Sequence, residues 1–586
     1  MLKKIQQKLK KTDLVFFISL LFIIYGIFVR YQGLGYSNLQ GDEINPLRYL
    51  GNIKGTVPTI SEFVNYILHQ KRGPMQYIVN YINVYLFGYH NEYQVRLPFF
   101  IFGVLAFYTF YLLSKLVWNS KRAAWFTVLF LSLNGLFIAF SRITQYQTIL
   151  HFLVPLSLYL FLVGYDKNNY KKIVLSAILL GISVLSHYDA LSTFAFFAVF
   201  LLYKLIWKKE YKKVFLYSFI FISIFGLVAL SFYYPYFAKS YYKDNASGYI
   251  SGRTSWTQLV PVTPLVLKLI TMYAPVEYWA FLFGFISLGI FFSAYSSLSS
   301  LKLFFINLKK KYVKLFYSLL VFVLTFSVYF SYFYFKPRLS TLLFYLSSVS
   351  LIFFLLLFKK TDPKRLAVVA WFLFSAFFYF FFIKDPRTHV YTVFMPGFVL
   401  AGYGLYSLES LLKTKKILYI TFFLVFFSYF LYLSGMYWMI FVNKNPEYPW
   451  WKKHYFGRLV YRVHRVRYKK IDGVFGFNQY RHWEEVRDLY DKGCLQGSYS
   501  SNEKNSITKF YMGFDQFTKD EEAFKVGADT LIVVEGPHSW IYDGLREGDI
   551  PSYAYVLLDT LYNQDYSVTY IWGLKTKYPK GNLLCN

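Results

Sequence analysis

Long apolar runs separated by short polar stretches form the main pattern along this chain. Examples are "DLVFFISLLFIIYGIFV", "KIVLSAILLGISVL" and "ILYITFFLVFFSYFLYL". A bilayer core requires helices of roughly 20 mostly apolar residues, because every backbone polar group must be hydrogen-bonded within the segment. The pattern predicts a polytopic α-helical membrane protein with about thirteen spans. We place them near residues 14–30, 94–114, 123–140, 148–164, 173–187, 190–206, 214–234, 276–296, 315–335, 339–358, 366–383, 393–412 and 417–441.

The distribution of charged residues predicts which side of the membrane each loop faces. The chain is 56% hydrophobic, 23% aromatic and only 16% charged, yet its formal net charge is +32. The basic residues cluster in every second loop, which argues against a nucleic-acid surface and for the positive-inside rule. The rule predicts a multi-pass plasma-membrane protein with a cytoplasmic N-terminus. The basic blocks run over residues 3–11, 115–122, 167–172, 204–213, 302–314, 359–365 and 413–416.

Composition shifts at about residue 443, where the last span ends. The membrane domain is predicted over 1–442, including a first external loop at 31–93 in which "SEFVNYILHQ" is expected to lie along the membrane surface. The tail, 443–586, is predicted to be a small external α/β domain. "YRHWEEVRDLYDKG" has helical spacing, whereas "DTLIVVEG" and "SVTYIWG" are typical of strands. Cys494 and Cys585 both lie in this tail, where a disulfide is permitted but not required.

The first external loop carries an unusual set of polar residues. Asp42 and Glu43 are adjacent, shortly after the first span, in "QGDEINP". The loop continues with Arg72-Gly73-Pro74-Met75 and then runs from Glu92 to Arg96-Leu97-Pro98. In order and spacing these elements resemble the GT-C glycosyltransferases of the protein O-mannosyltransferase and aminoarabinose-transferase type. The resemblance covers residues 10 to 200 most closely, and the late "DPRTHVYTVF" stretch, which contains Tyr391, extends it.

The resemblance implies a chemistry. Members of this family use a sugar on a polyprenyl phosphate as donor and transfer it at the external membrane face. A base must take the proton of the attacking hydroxyl or amine, and a carboxylate at the membrane edge is conspicuous. We therefore predict Asp42 as the base, with Glu43 orienting the acceptor, a metal or the loop. The partners implied are the lipid donor, the bilayer and an acceptor that is a protein, a glycolipid or a cell-wall polymer, with no nucleic acid.

The leaving phosphate needs cations that stabilise its charge. Arg72 occupies the position of the family's phosphate-binding lysine. Other basic residues break the positive-inside rule where predicted spans return to the membrane, and headgroup contact is the competing interpretation for each of them. The predicted donor-phosphate residues are Arg72, Lys336, Arg338 and Arg387.

The chain departs from the family in its second external loop. Arg142 is present in "SRITQYQTILHF", but Gln147 stands where the family has an acid. Asp189, in His187-Tyr188-Asp189, is the nearest substitute for that acid, although a histidine at a helix end is more often structural. The predicted supporting or substrate-pocket residues are Arg96, Arg142, Gln147, His187, Tyr188, Asp189 and Tyr391.

Missing signatures and rival functions narrow the prediction. The sequence lacks a P-loop, H-E-x-x-H and a cysteine metal cluster, so it identifies no cofactor and leaves a divalent metal undecided. It also lacks the W-W-D-Y-G motif of oligosaccharyltransferases, which favours transfer of one sugar. The rival is a non-catalytic transporter or flippase-associated protein for lipid-linked sugars, but no pair of inverted, Gly/Pro-broken repeats supports it. A carbohydrate-binding tail on a membrane anchor would not require so many spans.

Overall fold

The computed structural model describes residues 14–70, 73–238, 270–298, 361–383, 386–444, 454–456, 459–461, 475–513, 527–535, 550–563 and 566–585. The predicted spans at 315–335 and 339–358 lie outside these residues. Each of the other predicted spans falls on helix. Seven stretches among the described residues are long and apolar enough to cross a membrane, so the prediction of a multi-pass helical membrane protein is confirmed.

Among the described residues, helices make up the membrane part of the chain. They are α1 (Leu14–Tyr31), α2 (Gly41–Ile44), α3 (Ile60–Leu68), α4 (Met75–Phe87), α5 (Glu92–Trp118), α6 (Lys121–Ser132), α7 (Gly135–Phe140), α8 (Gln147–Asp166), α9 (Tyr170–Ser186), α10 (Phe194–Lys208), α11 (Tyr211–Ala238), α12 (Val276–Leu298), α13 (Pro363–Phe377), α14 (Tyr391–Leu412) and α15 (Lys416–Tyr437). Short 3₁₀ helices at Asn45–Leu50, Tyr188–Thr193 and Arg387–Val390 lie beside α2, α10 and α14.

The span predicted at 123–140 is interrupted. Helix α6 ends at Ser132, and Asn134 begins α7 by accepting a hydrogen bond from the amide of Phe137 at 3.1 Å. A side-chain acceptor of this kind satisfies one of the free amides at a helix start. Periodicity alone does not reveal such a break, because both halves are apolar.

Two ion pairs join basic loops that are far apart in the sequence. Arg122 contacts Glu409 at 2.7 Å, and Lys364 contacts Asp166 at 2.6 Å. The first pair joins the basic block at 115–122 to the helix end before the block at 413–416. The second joins the block at 359–365 to the helix end before the block at 167–172. The contacts agree with the prediction that these blocks share one side of the membrane.

The surface helix predicted in the first loop is α3. Phe63 and Ile67 are buried, and the ring of Phe63 stacks on Tyr81 of α4 at 3.9 Å. Ile60 and Val64, one turn apart, are exposed. An amphipathic helix with exposed apolar side chains at this spacing suits the membrane interface.

The tail forms helices and a small mixed sheet. Its helices are α16 (Trp483–Asp491) and α17 (Asn505–Met512), and its strands are β1 (His454–Phe456), β2 (Leu459–Tyr461), β3 (Tyr499–Ser501), β4 (Thr530–Val534), β5 (Tyr555–Asn563) and β6 (Tyr566–Leu574). The four-stranded sheet has the order β3-β4-β6-β5, with β3 parallel to β4 and the other pairs antiparallel. The helix and the two strands predicted from the tail sequence are thus confirmed. Cys494 and Cys585 form a disulfide.

The tail and the first loop share one hydrophobic core. Ile44 and Leu47 of the loop are buried in the same cluster as Trp483, Tyr511 and Ile532 of the tail. Burial of such side chains contributes roughly 1.5–3 kcal/mol each. The tail is therefore packed directly on the segment that carries the acidic pair.

Candidate functional site

The two acids of the first loop have different surroundings. Glu43 is buried, and its carboxylate accepts two parallel hydrogen bonds from Arg96, both at 2.8 Å. The other Arg96 donors reach the carbonyls of Leu34, Ser37 and Asn38 at 2.8–3.1 Å. A bidentate guanidinium–carboxylate pair of this kind fixes geometry as well as charge. Glu43 and Arg96 thereby hold the loop in shape.

Asp42 lies on the same one-turn helix but is only partly buried. Its Oδ1 accepts a 3.3 Å hydrogen bond from the side-chain amide of Asn45. Both acids are in the first turn of α2, where carboxylates are favoured by the free amides of a helix start. Asp42 is therefore the more solvent-exposed acid of the pair.

The second loop is tied to the first through Glu43. The amide of Thr144 donates to Glu43 Oε1 at 3.1 Å, and the Thr144 hydroxyl donates to the Glu43 carbonyl at 3.3 Å. Arg142 is buried and donates to the carbonyls of Val29 and Gln32 at 2.7 Å and of Gly476 at 3.0 Å. Its role is to join the first loop, the second loop and the tail.

Gln147 is buried in this loop. Its Nε2 donates to Gln145 Oε1 at 3.0 Å, while its Oε1 has no hydrogen-bond partner among the described residues. A buried polar atom without a partner is costly, so such atoms often face a water or a ligand.

His187, Asp189 and His389 form a tight cluster beside the second loop. Nδ1 of His187 lies 3.1 Å from Asp189 Oδ1, and Nδ1 of His389 lies 2.7 Å from Asp189 Oδ2. The hydroxyls of Tyr379 and Tyr391 donate to the same two oxygens at 2.8 and 2.9 Å. Asp189 is fully buried. This arrangement favours a positioning or ligand role for Asp189 over the role of substitute proton acceptor that the sequence suggested.

Aromatic stacking connects the cluster to the second loop. The ring of Tyr146 stacks on His187 with the centroids 4.2 Å apart and the planes 8° apart. Tyr188 covers His187 at 3.9 Å and is itself partly open to solvent. Thr144, which donates to Glu43, is two residues before Tyr146, so the second loop contacts both the acidic pair and this cluster.

Of the four predicted phosphate-binding residues, only Arg387 is among the described residues. Arg72, Lys336 and Arg338 lie outside the described residues. Gly73, which follows Arg72, packs so closely that an added Cβ would lie 2.1 Å from the carbonyl oxygen of Leu185, two residues before His187. Arg387 is exposed and has a left-handed φ of 43°, a strained conformation that tends to occur at functional sites.

The tail covers the first loop from the other side. The hydroxyl of Tyr511 donates to Glu92 at 2.6 Å and accepts from the amide of Leu39 at 2.6 Å. Burial, followed by the charge of Glu92, raises the pKa of Tyr511 well above its ordinary value, so the phenol keeps the proton it donates. An added Cβ at Gly41 would lie 3.7 Å from Nζ of Lys504. The acidic pair is thus enclosed by the membrane helices and the tail together.

Glu484 gives this interface a pH dependence. Burial is the main cause that raises its pKa to about 7, and the charges of Glu92, Glu485 and Asp488 add to the shift. A carboxyl whose pKa is higher in the folded state destabilises that state as pH rises from the unfolded value through about 7. We expect Glu484→Gln to raise the Tm at pH 8 but hardly at pH 5, measured by thermal unfolding in detergent. The effect should be small because the side chain is partly exposed, and equal shifts at both pH values would contradict the assignment.

Sequence reasoning missed several residues of this region. His389 and Tyr379 contact Asp189 across about two hundred positions, and Tyr146 stacks on His187 across about forty. The one available signal for His389 was its place two residues after Arg387. No local pattern pointed to Tyr511, whose partner Glu92 is 419 positions away.

One family model matches part of the chain. Residues 71–235 match the model of the dolichyl-phosphate-mannose-protein mannosyltransferase family, which is less than a third of the chain. A search of curated protein sequences finds no match. The matched segment contains the second loop and the His187-Tyr188-Asp189 motif, and it lies largely where the sequence resemblance is closest.

A search of solved structures finds matches that include the following two proteins. ArnT from Cupriavidus metallidurans, bound to undecaprenyl phosphate, has 12% identity and a TM-score of 0.45, with 94% of this chain and 97% of that chain covered. The oligosaccharyltransferase AglB from Archaeoglobus fulgidus, in complex with an inhibitory peptide and a dolichol-phosphate, has 13% identity and a TM-score of 0.46, with 89% and 70% covered. Both TM-scores are below 0.5, so no residues are equated between these chains and this one. The family match over residues 71–235 agrees with the resemblance to protein O-mannosyltransferases seen in the sequence.

Proposed function

We propose that this chain transfers a single sugar from a polyprenyl phosphate to a hydroxyl or amine acceptor at the external membrane face, with inversion at the anomeric carbon. The observation that carries the proposal is the difference in contacts and solvent exposure between the two acids of the pair. Both carboxylate oxygens of Glu43 are engaged by Arg96, whereas Asp42 is partly exposed on the same helical turn. This difference supports Glu43 as the acid that holds the loop and Asp42, which is partly open to solvent, as the proton acceptor.

In the proposed reaction, an acceptor O–H or N–H gives its proton to the carboxylate of Asp42 as the acceptor atom attacks the anomeric carbon. The bond between that carbon and the phosphate oxygen breaks, and polyprenyl phosphate leaves with the electron pair. A single displacement of this kind inverts the configuration of the sugar carbon.

Cations stabilise the departing phosphate in this proposal. Arg387 is exposed beside the His187–Asp189–His389 cluster, and Gly73, the neighbour of Arg72, packs against the chain just before that cluster. Guanidinium groups bind phosphate oxygens in pairs, which suits a leaving group whose charge grows during the reaction. Arg72, Lys336 and Arg338 complete the predicted phosphate-binding set.

The external location rests on two features of the chain. Basic blocks alternate along the sequence as the positive-inside rule requires. The tail, packed on the acidic loop, contains the Cys494–Cys585 disulfide, and disulfides persist in oxidising compartments. Together they support a cytoplasmic N-terminus and an active site on the opposite face.

The direct test uses the purified full chain with a panel of polyprenyl-phosphate sugars and three classes of acceptor: peptide, glycolipid and cell-wall polymer. The panel includes undecaprenyl and dolichyl carriers. We expect polyprenyl phosphate to be released and one sugar residue to appear on one acceptor class, with the opposite anomeric configuration. Transport of the lipid-linked sugar between leaflets without release of polyprenyl phosphate would instead support the transporter alternative.

Arg387 allows the phosphate assignment to be tested separately. Arg387→Ala should weaken donor binding by about 10- to 100-fold, because a hydrogen bond to a charged group contributes roughly 1.5–3 kcal/mol. Arg387→Lys should recover part of the loss. The control is Lys415→Ala, which removes an exposed positive charge beyond the far end of α14. Donor affinity that is unchanged in Arg387→Ala would exclude this residue from the phosphate site.

A further inference from the structure

The cluster of His187, Asp189 and His389 has a composition and geometry that sugar transfer does not require. Two imidazoles approach one carboxylate, with Nδ1-to-oxygen distances of 3.1 and 2.7 Å. One ligand atom from each of the three residues lies within 4.8 Å of the other two. No other group of this kind is found among the described residues.

The ligand set is one that first-row transition metals prefer. Imidazole nitrogen suits zinc, copper, iron and nickel, and two histidines with one carboxylate are a recurring zinc or iron set. Zinc bonds of about 2.0–2.1 Å place two ligand atoms at most about 4 Å apart. Shifts of the ligand atoms by about 1 Å, through side-chain rotation, would therefore bring all three ligands within bonding distance of one ion.

The residues around the cluster resemble the outer shell of a metal site. Each Asp189 oxygen accepts one phenol hydrogen bond, from Tyr379 at 2.8 Å or Tyr391 at 2.9 Å. These bonds fix the carboxylate and leave its remaining lone pairs directed at the two imidazoles. Tyr146 stacks on His187 and orients that ring. Hydrogen bonds that orient metal ligands in this way are a regular feature of protein metal sites.

Charge also favours a cation here. Asp189 is fully buried, and among the described residues its carboxylate contacts two phenols and two imidazoles but no lysine or arginine. A buried carboxylate is costly unless a positive charge balances it. Either two protons on the imidazoles or one divalent ion can supply that charge, and the ion carries the same charge as the two protons it replaces.

We propose that His187, Asp189 and His389 bind one divalent transition-metal ion, with zinc as the ion that the ligand set favours. The ion would join the 3₁₀ helix Tyr188–Thr193 to the 3₁₀ helix Arg387–Val390, which are far apart in the sequence. It would thereby fix the segment that carries Arg387. Asp42 and Glu43 are not members of this ligand group.

The test measures metal binding and does not depend on sugar transfer. The full chain is purified in detergent, stripped with a chelator, and then titrated with Zn²⁺ and Co²⁺ in the absence of any donor. We expect one Zn²⁺ per chain by elemental analysis, visible d–d absorption from bound Co²⁺, and a Tm that Zn²⁺ raises and the chelator lowers. Mg²⁺ should produce none of these effects, because it prefers all-oxygen sites.

Variants locate the ion. Asp189→Asn and His389→Ala should lose the stoichiometric metal, and Tyr391→Phe should weaken binding by about 10-fold, as loss of an outer-shell partner does. The matched control is His69→Ala, which removes an exposed imidazole in the first loop and should keep the metal. Asp42→Asn should also keep it, so loss of transfer and loss of metal remain distinguishable.

Two results would overturn the proposal. The first is wild-type protein that takes up no Zn²⁺ or Co²⁺ and has a Tm insensitive to the chelator, which would identify the cluster as a hydrogen-bonded triad of imidazolium groups and a carboxylate. The second is uptake of one ion that Asp189→Asn and His389→Ala leave unchanged, which would place the ion elsewhere. If those variants fail to fold, Tyr391→Phe, which keeps all three ligands, still locates the ion through its weaker Zn²⁺ binding, and unchanged Zn²⁺ affinity in that variant would place the ion elsewhere.

Discussion

Asp42→Asn should abolish sugar transfer while leaving the protein folded. A positioned general base contributes about 10²- to 10⁴-fold to a rate, and asparagine keeps the size of the side chain but cannot take a proton. Asp42 is partly exposed and makes a 3.3 Å contact with Asn45, a contact that an amide side chain can retain. We therefore expect a loss in kcat of that order, with donor affinity and Tm close to those of the wild type. The measurement is release of polyprenyl phosphate by purified protein under single-turnover conditions.

The control for this variant is Asp488→Asn, which neutralises an exposed acid on α16 and should retain full activity. Rescue also discriminates between roles. A base that only takes a proton can be replaced partly by a small exogenous carboxylate such as formate, whereas a residue that holds the loop cannot. Undiminished turnover in Asp42→Asn would remove Asp42 from the mechanism and leave Glu43 as the remaining acid of the pair.

Hydropathy was enough to predict the membrane helices, because it depends on local sequence. A bilayer requires long apolar helices; every predicted span within the described residues falls on helix, and seven stretches there are long and apolar enough to cross a membrane. The interruption between α6 and α7 was missed because Asn134 is a single polar residue in an apolar run. The strand at Thr530–Val534 and the helix at Trp483–Asp491 were found because their patterns are equally local.

The site was predicted as a set of residues but not as an arrangement. The resemblance pointed to Asp42, Glu43 and Arg96, yet nothing in the sequence indicated that Arg96 pairs with Glu43 across 53 positions. The two acids are neighbours in the chain, so only their surroundings separate a held carboxylate from a partly exposed one. Long-range contacts of this kind follow from tertiary packing and leave no local signal.

The contact between tail and loop changes how the acidic pair should be viewed. Leu39, just before α2, gives its amide hydrogen to Tyr511, and Glu92 accepts the hydrogen of the same phenol. The loop is therefore fixed on one side by Arg96 of a membrane helix and on the other by the tail. A domain that the sequence presented as separate is instead part of the enclosure around the site.

Breaking the Glu43–Arg96 pair should produce the largest loss of stability of any single change in the first loop. Both side chains are almost fully buried, and Arg96 also serves the carbonyls of Leu34, Ser37 and Asn38. Removing one partner of a buried ion pair typically costs 3–5 kcal/mol, because the other charge remains buried without compensation. We expect Arg96→Ala to lower the Tm strongly, and activity to fall with the folded fraction rather than through kcat.

A double-mutant cycle separates this structural role from a catalytic one. If Glu43 only balances Arg96, the double variant Glu43→Gln/Arg96→Met should be less destabilised than the sum of the single variants, because no uncompensated charge is left behind. The surface control is Lys54→Ala, which breaks an exposed pair with Asp491 and should cost less than about 1 kcal/mol. Activity per folded molecule then decides between the roles. A folded double variant that still transfers sugar would show that Glu43 only holds the loop. A folded but inactive double variant would show that Glu43 takes part in catalysis together with Asp42.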